Sequence, residues 1–171
     1  DWRPNAVDTL LQAAGGHRLV VLGEMHGTRE IPLLAGDLVE RWSAASPLLL
    51  ALEIPAGEHA AIRDAVVSGG SDAAIEALRA RPWWRVAADE NDGRRSEDVL
   101  ALIQRVGRLK ISGRDVAILP FDPRDLRCYR RGTCEVAMAQ VLRRAHDGLP
   151  RGRLVVVTGN VHAMHLRPAD A

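Results

Sequence analysis

Val20-Val21-Leu22-Gly23-Glu24-Met25-His26-Gly27 is an apolar run that stops on a carboxylate, an imidazole and two glycines. It reads as a buried strand, with Val20, Val21 and Leu22 inside a sheet, ending in a loop that can carry chemistry. Gly23 and Gly27 let the backbone turn sharply or come close to a ligand. Glu24 and His26 project the same way if the chain stays extended through Met25. Side by side, a carboxylate and an imidazole can bind a metal or move a proton. A Glu that caps a following helix beside a solvated His is the other reading, and this stretch alone does not separate the two.

Three more apolar runs follow, and each also ends on polar, chemistry-bearing side chains. Pro47-Leu48-Leu49-Leu50-Ala51-Leu52-Glu53-Ile54-Pro55 carries Glu53 at its end, where a buried charge needs a partner, a proton or a cation. Residues 115–121 lead to Asp122, and Leu154-Val155-Val156-Val157-Thr158 leads to Gly159-Asn160-Val161-His162. The segments between them have helical spacing or caps. A helix over residues 7–14 is closed by Gly15-Gly16. Another is capped by Thr28, with Glu30 and Pro32 in its first turn and Ile31, Leu34, Leu38 and Trp42 on one face. Helices are also predicted over residues 57–67, from Ser71 or Asp72 to residue 79, from Ser96-Glu97-Asp98 to residue 110, and over residues 133–146.

Apolar strands alternating with amphipathic helices make an α/β fold: an open, mostly parallel sheet with helices on both faces, in one domain over residues 1–171. In such a sheet all strand C-terminal ends lie on one edge, where ligands bind. Glu24, His26, Glu53, Asp122, Asn160 and His162 are therefore expected around one pocket, which favours a site over a helix cap at Glu24.

The chain has 171 residues, 47% hydrophobic and 26% charged, as in a globular domain with its own core. No apolar run approaches the ~20 residues of a membrane helix. A net charge of +1 argues against a nucleic-acid surface, and the arginines between positions 124 and 131 read as a solvated loop. The sequence begins at Asp1 without a Met, which points to a processed or trimmed form. Cys128 and Cys134 flank a Gly-containing loop; they fit a local disulfide in an oxidising compartment or two unrelated thiols, and lack zinc-knuckle or redox-motif spacing. Trp83-Trp84 reads as a packing anchor, Met25 and Met138 as packing residues, His59 as solvated, and His17 and His146 as surface or helix-end residues.

Two glutamates, an aspartate and two histidines suit Mn, Fe, Zn or Co, or a metal-free site in which carboxylates orient histidines. In a hydrolase, one His would act as general base on a water held by Glu24 or Glu53. The other would stabilise the oxyanion or protonate the leaving group. Arg94 offers a bidentate fork for a substrate carboxylate, phosphate or oxyanion, and Asn160 a further substrate contact. Nucleophile-elbow, Walker, Gly-x-Gly-x-x-Gly and His-Glu-x-x-His patterns are absent.

Gly23-Glu24-Met25-His26-Gly27 with Glu30, Ala51-Leu52-Glu53-Ile54-Pro55, Asp92-Gly93-Arg94 and Gly159-Asn160-Val161-His162-Ala163 together resemble the erythromycin esterase / ChaN-like / TraB-TIKI superfamily. The resemblance spans about residues 17–163 and implies an α/β core with a Glu/His pocket at the strand ends. Glu24, His26, Glu53 and His162 would form the pocket's core and Arg94 would match a further position; Asp122 comes from its strand end. The resemblance embraces macrolide-lactone esterases, metal-dependent proteases of the TIKI type, and haem-binding, iron-associated lipoproteins of the ChaN type. This chain lacks the large helical insertions that make the macrolide cleft, which argues against lactone opening. It also ends nine residues after His162, where relatives continue into a further strand, so either a tail lies beyond residue 171 or the sheet is completed differently.

The expected function is thus an extracytoplasmic hydrolase, periplasmic or a lipoprotein, acting on an ester or amide of a small molecule or peptide, either with a divalent metal (Mn, Fe, Zn or Co) as cofactor or without one. The alternative is a haem- or iron-binding protein without turnover, with His59, His165 or Tyr129 as axial ligand. A third reading is an interaction domain whose pocket is vestigial.

Overall fold

Each apolar run forms a strand: β1 Leu19–Glu24, β2 Leu48–Pro55, β3 Val116–Asp122 and β4 Arg153–Gly159. The structure, a computed structural model, describes residues 3–123 and 133–164. All pairings are parallel and the strand order is β1-β4-β2-β3. The central positions explain the composition of β2 and β4. Both faces of these strands are covered, so their residues are buried almost without interruption. Edge strands tolerate more: β1 leaves Leu19 and Val21 45% exposed, and β3 accommodates Pro120.

Among the described residues the helices are α1 Arg3–Ala14, α2 Glu30–Trp42, α3 His59–Val67, α4 Asp72–Arg79, α5 Glu97–Ile111, α6 Cys134–Asp147 and the single turn α7 Asn160–Ala163. Alternation along the strands sends Leu50, Leu52, Val155 and Val157 to one face, where they pack with Leu38, Ile62 and Ile103 of α2, α3 and α5. Ala51, Leu154 and Val156 face the other way with Phe121, onto Met138 of α6. Fully burying one such aliphatic side chain is worth ~1.5–3 kcal/mol, so both layers hold the sheet.

Ser71 and Ser96 cap α4 and α5 as expected, accepting from the N–H groups of Ala74 and Val99. Thr28 does not cap α2. Its hydroxyl donates to Met25 O at 2.9 Å, closing the loop after β1, and Arg29 stands at the cap position without a side-chain bond. The third helix begins two residues later than predicted, after a 3-10 turn over Ala56–Glu58. Trp84 is core, as its apolar ring dictates, and its Nε1 donates to Glu58 Oε2 at 3.1 Å. Met138 is buried, but Met25 is 71% exposed, because the turn after β1 carries it past the last sheet layer. Cys134 is disulfide-bonded, which removes the free-thiol alternative for that residue. Cys128, Tyr129, His165 and the arginines between positions 124 and 131 lie outside the described residues. Among the described residues no helix is long and apolar enough to cross a membrane.

Candidate functional site

Insertion of β4 between β1 and β2 is what assembles the site. The ladder sets Glu24 opposite Gly159, so the β4 end, Gly159-Asn160-Val161-His162, emerges between the Glu24/His26 loop and Glu53. Glu53 sits where the ladder breaks. Leu52 pairs with Pro120 but Pro55 with Asp122, leaving one extra residue on β2. Such a bulge re-aims a side chain. Glu53 Oε2 thereby accepts from Thr158 Oγ1 at 2.6 Å and from the Gly159 N–H at 2.9 Å, both on β4.

Glu24 and His26 do project together. His26 Nδ1 lies 2.8 Å from Glu24 Oε1, a carboxylate only 8% exposed. A carboxylate accepts, so Nδ1 carries the proton and Nε2 is left as the basic nitrogen. Nε2 stands 3.8 Å from Glu53 Oε1 and His162 Nε2 stands 4.0 Å from the same oxygen. A Cβ at position 159 would lie 3.0 Å from His26 Nε2, so a glycine there keeps room for the ring. The Glu24 hydrogen bond raises the pKa of His26 above its ordinary 6.5; burial opposes it, the Glu53 and Glu24 charges add to it, and the Arg94 charge subtracts. Burial alone would push Glu53 up. The Thr158 and Gly159 hydrogen bonds, with the His26 and Arg94 charges, more than offset that and hold it below its ordinary 4.5. His162 Nδ1 lies 3.8 Å from Glu135 Oε1 in the first turn of α6.

Arg94 is engaged by the protein's own carboxylates. Its Nη1 bridges Glu53 Oε1 at 3.1 Å and Asp122 Oδ2 at 3.3 Å, while Nε and Nη2 donate to Asp92 Oδ2 at 3.0 and 2.6 Å. Its side chain is 15% exposed, and each nitrogen of the fork faces a carboxylate of the protein itself, where the sequence pointed to a substrate anion. Burial would raise Asp92, but the Arg94 hydrogen bonds and charge win and hold it at about 2. The turn that delivers Arg94 is clasped to the one that delivers His26. Gly27 and Gly93 have φ of 86° and 91°, and a Cβ at position 93 would stand 2.2 Å from Gly27 N.

The resulting cleft, about 410 Å³, is lined by Glu24, Met25, His26, Gly159, Asn160, Val161 and His162. Asn160 keeps its expected place, with Oδ1 so close over Gly23 that a Cβ there would lie 2.8 Å away. A separate void of about 20 Å³ lies between Glu24, Glu53 and Arg94 and the apolar side chains of Leu52, Ile54, Val99, Leu102 and Val157. The expected metal set Glu24, His26, Glu53, Asp122 and His162 does not fit a metal. Among the described residues no group of three or more His, Cys, Asp or Glu is placed to hold one. Glu24 is engaged by His26, and the Arg94 guanidinium stands between Glu53 and Asp122. His59 is elsewhere, exposed on the wall of a groove of about 490 Å³ with apolar lining from Val66, Ile118 and Leu119 and with Arg63 and Lys110 at hand.

No family model matches the chain, and no curated protein does. A solved structure is similar. It is that of the type III effector HopBA1, at a TM-score of 0.60 and 24% identity, covering 90% of this chain and 71% of that one. At this identity the likeness shows the fold alone: an α/β chain with a parallel sheet flanked by helices, as the strand pattern predicted.

Thr158 and Glu135 join the site without having been singled out, and Asp92 stands out in the sequence only within the Asp92-Gly93-Arg94 motif. A threonine ending a run of valines, and an Asp two residues before an arginine, are the only traces they leave in the sequence. Thr158 stands 105 positions along the chain from its partner Glu53, and Arg94, the partner of Asp92, stands 41 positions from Glu53.

Proposed function

We propose that the chain is a hydrolase of ester or amide bonds in which His26 is the general base. The observation that carries this reading is the part-buried 2.8 Å Glu24–His26 pair, which holds the imidazole by Nδ1 at the wall of the cleft and leaves Nε2 as the basic nitrogen. Among the described residues lining the cleft there is no serine, threonine or cysteine, and in this reading water is the nucleophile. His26 Nε2 takes its proton. The carboxylates of Glu24 and Glu53 stabilise the imidazolium that forms. His162, facing the same Glu53 oxygen, donates to the developing oxyanion or the leaving group. Asn160 at the rim contributes a polar contact to the substrate. The raised pKa of His26 keeps it a competent base near neutrality. The disulfide at Cys134 supports an extracytoplasmic setting.

The test is a panel of ester and peptide substrates with His26→Ala and His162→Ala. Loss of a general base costs ~10²–10⁴-fold in kcat. Hydrolysis unchanged in both variants, or none detectable in the unsubstituted protein across the panel, refutes the reading.

A second reading, haem binding without turnover, draws its support from the groove at His59. Its apolar walls suit a porphyrin, His59 would be the axial ligand, and Arg63 and Lys110 would meet the propionates. Haem bound there would supply an iron centre. A Soret titration with His59→Ala decides it: saturable binding lost in the variant supports the reading, and no saturable binding refutes it.

A further inference from the structure

The pocket gathers carboxylates from three strand ends, and such a gathering needs a positive charge. Glu53 shows which positive charge serves. Its Oε2 is saturated by Thr158 and Gly159, leaving Oε1 to face three nitrogens: Arg94 Nη1 at 3.1 Å, His26 Nε2 at 3.8 Å and His162 Nε2 at 4.0 Å. Two histidines and one carboxylate are the donor set of many divalent-metal sites. Bonds of ~2.1 Å to one metal would bring these three atoms to ~3.0–3.5 Å of each other. Both histidine distances to Glu53 exceed that by half an ångström or so, while the guanidinium is already at bonding range. His26 even has the outer carboxylate that metal-bound histidines usually have, in Glu24.

We propose that Arg94 is the resident cation of this pocket, standing in the place a divalent metal would take, and that its removal opens a metal site at His26, Glu53 and His162. Arginine is the side chain for that task. It stays charged at every accessible pH, and its planar fork satisfies Asp92 on one edge while Nη1 bridges Glu53 and Asp122. A divalent ion on Glu53 Oε1 would lie within a few ångströms of this fixed positive charge, beside a carboxylate only 8% exposed, so the two cations disfavour each other. With the guanidinium gone, Glu53 and Asp122 lose a shared counter-ion, and Glu53 Oε1 turns to the two imidazoles. Arg94 is here a positioning residue, acting through Glu53. The inference concerns the same pocket as the hydrolase reading but not turnover, so it stands or fails separately.

The experiment measures thermal stability and calorimetric binding of chelator-stripped protein against Mn²⁺ and Zn²⁺. Arg94→Ala is expected to gain saturable binding at least ~100-fold tighter than the unsubstituted protein, the scale of like-charge repulsion at a few ångströms. That gain disappears in Arg94→Ala/Glu53→Gln and is absent in Arg94→Lys, which restores a cation. A merely structural role would lower the melting temperature in Arg94→Ala and leave the metal response flat, overturning the proposal. Tight metal binding by the unsubstituted protein that is lost on Glu53→Gln overturns it as well. Should Arg94→Ala fold only when Mn²⁺ or Zn²⁺ is present, the proposal is supported. Failure of both Arg94→Ala and Arg94→Gln to fold with and without metal counts against it.

Discussion

Thr158→Val removes one hydroxyl and almost nothing else. Thr158 is 4% exposed and its Oγ1 donates at 2.6 Å to Glu53 Oε2, in a carboxylate itself 8% exposed. A buried hydrogen bond to a charged acceptor contributes ~1.5–3 kcal/mol, and valine nearly keeps the side chain's shape. Because the Gly159 N–H still reaches the same oxygen, a loss of ~2 kcal/mol is expected, or ~4–8 °C in Tm for a chain of this size. The pH dependence carries the finer test. The folded-state pKa of Glu53 is below 4.5, so the stability it contributes is complete above pH 4.5 and is lost as pH falls through the folded value. Losing the Thr158 bond moves the folded pKa upward, which shrinks that pH-linked share. Urea unfolding from pH 7.5 down to pH 3.5 should therefore show the full penalty near neutrality and a narrowing gap in acid. A penalty that stays constant over this range, or one under ~0.5 kcal/mol at pH 7, would mean that the hydroxyl does not hold the ionised carboxylate. In a double-mutant cycle with Glu53→Gln, a coupling near zero would say the same.

The Glu24 hydrogen bond is the largest influence raising His26, so the ascending limb of a pH–rate profile should fall above pH 6.5 and move to lower pH in Glu24→Gln; an unmoved limb removes His26 as the titrating base. Gly93→Ala should cost ~2–4 kcal/mol, since its Cβ would meet Gly27 N at 2.2 Å as well as a φ of 91°. Gly113→Ala, at the same φ with nothing within 4 Å, isolates the backbone share and should cost only ~1–2 kcal/mol; equal losses in a urea melt would show that the clasp between the two turns adds nothing. Trp84→Phe keeps the ring in the core but takes the Nε1 donor from Glu58 Oε2, for an expected ~1–2 kcal/mol by thermal unfolding; no change would show that Arg81 alone satisfies that carboxylate.

What the sequence by itself determined is whatever depends on near neighbours in the chain. Runs such as Leu48-Leu49-Leu50-Ala51-Leu52 and Leu154-Val155-Val156-Val157 have one stable fate in a globular chain, a strand covered on both faces, and helical spacing between the runs makes the connections helical. Ser71 and Ser96 announce their helices through bonds three residues long. The Glu24–His26 contact is of the same kind, two residues apart on an extended chain. Only the tertiary structure decided the strand order, because parallel strands pair through crossovers that many orders satisfy equally well locally. That order places His162 beside His26 and Glu53. The bulge that aims Glu53 at Thr158 needs the β2–β3 register, and the exposure of Met25 needs the end of the sheet. Arg94 could be read from its own segment only as a fork seeking an anion. Its anions turned out to be the protein's own Glu53, Asp92 and Asp122, because folding places two strand ends and a turn within one guanidinium's reach.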